Sequence, residues 1–215
     1  MMKVHLAEAD WGSANAAFRE QYVGLLTNAY EDVTELLPFG SSQVNFFVQP
    51  RAYNLIDETH DNGHTHNSEF IEIAFDPEYF VGQPEAVLKS HIQGTVFHEM
   101  NHAARYNLGI WHESFLDSCL LEGLATVFER EYAETTPLWG AYPSNCDEWL
   151  QEVQRLGEGI DTGQYMFAHE DGRKWIGYKI GTYLVDQALQ RSGKTIVELT
   201  QLTCSDIMNL AGVKE

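Results

Sequence analysis

The sequence predicts an α+β fold, mostly helical, and three observations predict it. Apolar residues recur at spacings of three and four over residues 15–36, 84–107, 113–133 and 175–191, the signature of amphipathic helices. Two short runs, Val44-Asn45-Phe46-Phe47-Val48 and Phe70-Ile71-Glu72-Ile73-Ala74-Phe75, are β-branched and aromatic and bounded by turn residues. Both runs fall in the first half, and helical patterns fill the second. With 215 residues the chain suits one domain, residues 1–215. Its N-terminal lobe, about 1–108, would hold a small sheet, and its C-terminal lobe, about 109–215, would be helical.

Taken in order, residues 15–36 put Phe18, Tyr22, Leu25, Leu26, Ala29 and Val33 on one side, with Pro38 as the stop. The two strands follow. They are expected to pack on the next long helix, the second strand at a sheet edge, with Asp76-Pro77 closing it. Between them, residues 54–68 read as a polar loop carrying His60, His64 and His66, long enough to act as a lid. If His64-Thr65-His66 were extended, both rings would face one side.

Residues 84–107 carry the punctuation of one helix. Pro84 suits a first turn, Glu85 complements the positive end of the helix dipole, and Gly109 is the stop. Val87, Leu88, Ile92, Thr95, Val96, Met100 and Ala103 make its apolar stripe. The next helix, 113–133, uses Phe115, Cys119, Leu120, Leu124, Val127 and Phe128. Residues 135–163 form an aromatic-rich loop with Trp139 and a short helix at 147–156. Residues 164–174 read as a linker. A helix over 175–191 stops at Gly193, and two short helices finish the chain.

His98-Glu99-Met100-Asn101-His102 is the chain's single H-E-x-x-H segment, and it lies inside the helix at 84–107. Residues four apart on a helix share a face, so two imidazoles can grip one zinc ion from the same side. Glu99 can lean over the ion without ligating it and take a proton from water. His91, seven residues earlier, reads as packing. A catalytic zinc takes three protein ligands and keeps one position for water. A third His at 108, preceded by Gly at 105, would mark one such class, but the chain has Leu108 and Arg105. A second E-x-x-H, which a di-iron bundle needs, is absent. What remains is a His₂Glu site with its Glu on a following helix. Glu122, in Leu121-Glu122-Gly123-Leu124, is the candidate, because a carboxylate among apolar neighbours wants a cation opposite. Glu129 is its rival on the same face, and Thr126 is placed to orient a ligand.

These residues resemble a gluzincin-type zinc metallopeptidase. More narrowly, they are similar to an uncharacterised bacterial family of predicted Zn-dependent proteases that pair an H-E-x-x-H helix with a downstream E-G-L-A segment. The matching residues are His98-Glu99-Met100-Asn101-His102-Ala103-Ala104-Arg105 and Glu122-Gly123-Leu124-Ala125. Trp175-Ile176-Gly177-Tyr178-Lys179-Ile180-Gly181 resembles a third element of that family, and residues 192–199 its closing helices. The resemblance runs from about 84 to 210. It implies a zincin-like fold, the sheet packed on the H-E-x-x-H helix and an active-site cleft between the lobes. It implies Zn2+ on His98, His102 and Glu122, with Glu99 as general base. It also implies a peptide or protein substrate, and Tyr178 as donor to the oxyanion, with His169 and Tyr183 as substitutes. The competing expectation is a metal-binding interaction or regulatory module without peptidase activity.

Composition limits partners. The formal charge is −19, from 13 basic and 32 acidic residues, which disfavours nucleic acid and anionic membranes. No 18-residue apolar run exists for a membrane span, and the N-terminus lacks the apolar stretch of a signal peptide. Cys119, Cys146 and Cys204 are odd in number with no C-x-x-C spacing, which suits a reducing compartment, so the expectation is cytoplasmic. Nothing in the sequence sets the oligomeric state.

Overall fold

A computed structural model describes residues 2–8, 11–37, 43–110 and 113–213. It is an α+β structure, mainly helical, with one four-stranded sheet. Two compact units divide it. The first takes the described residues up to Asn107 together with Tyr132–Thr135; the second takes Leu108–Glu131 and those from Thr136 onward.

The first unit begins with strand β1 (Met2–Leu6) and helix α1 (Ala16–Leu36). Asn15 caps α1, its side chain accepting a hydrogen bond from the Phe18 amide at 3.0 Å. Pro38, the expected stop, lies outside the described residues. Strands β2 (Val44–Pro50), β3 (Asp61–Asn67) and β4 (Phe70–Phe75) follow, then a short helix α2 (Pro77–Phe80) and the long helix α3 (Glu85–Asn107). The strand order is β1-β2-β4-β3; β1, β2 and β4 are parallel, and β3 is antiparallel to β4.

Burial in β2 alternates without a break, with Val44, Phe46, Val48 and Pro50 inward. These residues meet Ile71, Ile73 and Phe75 of β4 in a core that α1 and α3 cover. Tyr22 of α1 stacks on Phe75, ring centroids 4.6 Å apart. Burial drives the Tyr22 phenol far above its ordinary pKa, with the Asp61 charge adding to the rise.

Two expectations are corrected here, and one strand is added. Residues 61–67 are a strand, because pairing with β4 and packing on α3 override a sequence poor in strand formers. The strand at Phe70–Phe75 is interior, flanked by β2 and β3; the edges are β1 and β3. β1 itself, a five-residue edge strand in which Met2, Val4 and Leu6 alternate with Lys3 and His5, went unanticipated.

The second unit contains α4 (Phe115–Tyr132), α5 (Cys146–Leu156), α6 (Thr162–Met166), α7 (Ile176–Ser192), α8 (Ile196–Thr200) and α9 (Cys204–Ala211). Part of the expected linker is thus α6, followed by a bridge between Ala168 and Lys174. Helix α7 packs against α5, α6, α8 and α9. It meets α4 through glycine: a Cβ on Gly181 would strike the Cys119 carbonyl, and one on Gly123 would strike the Gly181 backbone. Gly193, at φ 68°, ends α7 in the left-handed region that glycine adopts freely. No helix among the described residues is long and apolar enough to cross a membrane.

Candidate metal centre

Helix α3 starts where the sequence says it should. The Pro84 carbonyl accepts from the Val87 and Leu88 amides, and Gly109 leaves the helical path at φ 69°. Every residue from Val96 to Arg105 is buried. The stripe pattern puts the two histidines at an apolar edge, whereas this part of the helix is enclosed all round. His98, Glu99 and His102 are 7 %, 6 % and 7 % exposed. One helical turn sets the two imidazoles face to edge, centroids 4.9 Å apart and planes at 82°. A ligand atom from each of His98, Glu99 and His102 lies within 4.8 Å of the others, the only such group of three among the described residues.

The donor set fits zinc. Two imidazole nitrogens suit its borderline character, and a divalent cation beside the Glu99 carboxylate offsets the cost of burying that charge. Glu99 is held from β3. The Thr65 hydroxyl lies 2.8 Å from Glu99 Oε2 and 2.8 Å from the Glu99 main-chain oxygen. The Glu99 side chain passes over Gly63, where an added Cβ would come within 2.5 Å of its Cγ and Oε1.

The other anticipated residues belong to the second unit. Glu122 is half-buried on α4 and Glu129, two turns on, is 6 % exposed. Burial raises the Cys119 thiol well above its ordinary pKa, and the Glu122 charge raises it further. Thr126 is fully buried on α4, and its hydroxyl makes no hydrogen bond among the described residues. Tyr178 is half-buried in the first turn of α7, beside Trp175 at 5.6 Å and Trp139 at 6.1 Å. Of its substitutes, His169 is tied to Asp171 at 2.9 Å and Tyr183 packs edge-on to Tyr142. Glu122 and Tyr178 are both carried by the second unit.

His60, His64, His66 and His91 each have a ring or ion-pair partner. His91 lies 3.8 Å from Asp61 and edge-on to Phe80, in keeping with a packing role. His60 stacks on Tyr79. His64 and His66 are exposed on β3, their rings 4.5 Å apart, and His66 stacks on Phe70 and reaches toward Glu72 at 3.6 Å. A groove of about 840 Å³ in the second unit, lined by Phe115, Val153, Ile160 and Met208, includes none of the three grouped residues.

Thr65 and Gly63 are the site residues that sequence reasoning missed. Their signal was period-two alternation: Asp61, Gly63 and Thr65 share one face, His64 and His66 the other. Attention to the histidines alone hid it.

A family model described as predicted Zn-dependent protease (DUF2268) matches residues 23–209. The match begins within α1 and takes in strands β2, β3 and β4, well upstream of the two motifs that suggest the resemblance. No curated protein matches the chain, and no solved structure does.

Proposed function

The chain belongs to the DUF2268 family of predicted Zn-dependent proteases, and from that premise we propose that it is a zinc-dependent hydrolase, a gluzincin-type peptidase acting on peptides or proteins. The observation that carries this reading is the buried group of His98, Glu99 and His102 with ligand atoms within 4.8 Å of one another. His98 and His102 hold the ion, with Glu122 as the third protein ligand and one position left for water. Zinc there supplies a Lewis acid that makes water nucleophilic near neutral pH.

Glu99 accepts the proton of the attacking water and hands it to the departing amine. Tyr178 donates a hydrogen bond from its phenol to the oxyanion that develops on the carbonyl. Glu122 is favoured by its half-buried position on α4 and by the E-G-L-A run inside the matched span. Tyr178 is favoured by its position in the third element, also inside that span. The fold reading is zincin-like with an active-site cleft. The cytoplasm is the proposed compartment, where the buried free thiols Cys119, Cys146 and Cys204 stay reduced.

The test is hydrolysis of a broad peptide library by zinc-loaded wild type and Glu99→Gln, with metal content measured on both. The expected result is turnover by wild type and a loss of about 10²–10⁴-fold in the variant at equal zinc content. Bound zinc with no turnover by either protein would assign the chain to metal-dependent regulation instead.

A further inference from the structure

We infer that Gly63 and Thr65 of β3 are a positioning pair that fixes the Glu99 carboxylate for proton transfer. This rests on the hydrolase reading, since it assigns work to the same carboxylate. Three successive inward positions of β3 meet α3. The Thr95 hydroxyl donates to Asp61 Oδ2 at 2.9 Å, Gly63 underlies the Glu99 side chain, and Thr65 reaches Glu99 one helical turn beyond Thr95. The strand is therefore registered on the helix by two polar contacts, with a gap between them that the Glu99 side chain occupies.

That arrangement explains a residue that strand chemistry disfavours. Glycine weakens a strand interior and often marks close approach by another group. Gly63 is not among the positive-φ residues, so alanine would suit its backbone. What excludes alanine is Glu99: the added Cβ would lie 2.5 Å from Cγ and from Oε1 and 2.7 Å from Cδ. Two of these atoms belong to the inner part of the side chain, so the carboxylate must move as a whole.

Thr65 supplies the complementary restraint. Its hydroxyl is buried and faces two acceptors of one residue, the Glu99 carboxylate and the Glu99 carbonyl, both at 2.8 Å. Its one proton, donated to Oε2 or shared between the two oxygens, favours the rotamer that keeps Oε2 beside it. The other oxygen, Oε1, lies over Gly63. A base held in one direction has less reorganisation to complete when water is presented to it.

The experiment compares zinc-loaded wild type, Glu99→Gln, Thr65→Val, Thr65→Ser and Gly63→Ala on the same peptide library. Thr65→Val and Gly63→Ala are expected to lower kcat about 10–100-fold with KM and zinc content unchanged, and Thr65→Ser to restore kcat. A second readout uses the metal-free proteins. The side-chain carboxyl carbon resonance of Glu99, assigned by its loss in Glu99→Gln, should shift in Thr65→Val and Gly63→Ala and stay put in Thr65→Ser. Wild-type kcat in Thr65→Val, with Glu99→Gln inactive, would overturn the positioning role and leave the hydrolase reading intact. An unmoved resonance in both variants would overturn it as well. Zinc-loaded wild type inert on every peptide would sink the hydrolase reading, and the assignment of Thr65 and Gly63 to proton transfer with it.

Discussion

Along α3, His98, Glu99, Asn101, His102 and Arg105 are all buried within two turns of helix, whereas α4 and α7 approach each other across Gly123 and Gly181. The first unit encloses polar groups that a core built for stability alone would exclude, since each must be hydrogen-bonded or paired to be tolerated. The α4–α7 contact in the second takes another course: it removes side chains altogether so that two backbones touch. Buried chemistry marks the place where stability yields to function, and a glycine contact marks a place where shape alone is required.

The sharpest way to break that comparison is His102→Leu. Zinc binding should weaken at least about 100-fold by equilibrium dialysis, while the metal-free protein unfolds at no lower temperature than wild type. A large loss of metal-free stability would mean that His102 serves the core more than the site. Gly181→Ala should do the opposite. Its Cβ meets the Cys119 carbonyl, which is backbone and cannot swing away, so α4 and α7 must separate at a cost of about 1–3 kcal/mol. Denaturant titration should register that loss, with one zinc still bound per chain at 25 °C.

Smaller effects sharpen the picture of the helical unit. Thr195 caps α8 in a reciprocal box with Glu198, so Thr195→Ala should cost about 1 kcal/mol in the same titration. Glu152 tests electrostatics. Hydrogen bonds from Arg173 hold its carboxyl below the ordinary carboxylate range. A depressed folded pKa stabilises the protein above the unfolded value of about 4.3 and is lost as pH falls through the folded value. Wild type and Glu152→Gln should therefore differ slightly at pH 6–7 and converge only as pH falls through that lowered folded value. The difference is small because both partners are partly in water.

The long helices and the central strands were legible because burial writes itself into spacing. Val44, Phe46 and Val48 alternate, and Leu88, Ile92 and Val96 recur with the helical turn. The H-E-x-x-H pair was legible for the same reason, since four residues make one turn. β3 was hidden because Asp61, Asn62, Gly63 and Asn67 are turn formers; only pairing with β4 and packing on α3 make them a strand. Thr65 and Gly63 were hidden with it. Their partner Glu99 is 34 residues from Thr65, and no local pattern records a contact made across that distance. α6 escaped because five residues are too few for a helical period to declare itself.

Parallel pairing has a temporal consequence. Met2 lies opposite Val44, and Asn45 opposite Phe70, so neither neighbour contact can close as a local hairpin. A nascent chain thus releases its first strand and α1 before any edge exists for them to join. The β3–β4 ribbon can form on its own and then dock beside Val44–Pro50, a slow, non-local step. Helix α3 emerges after all four strands, so the sheet it packs on precedes it in synthesis.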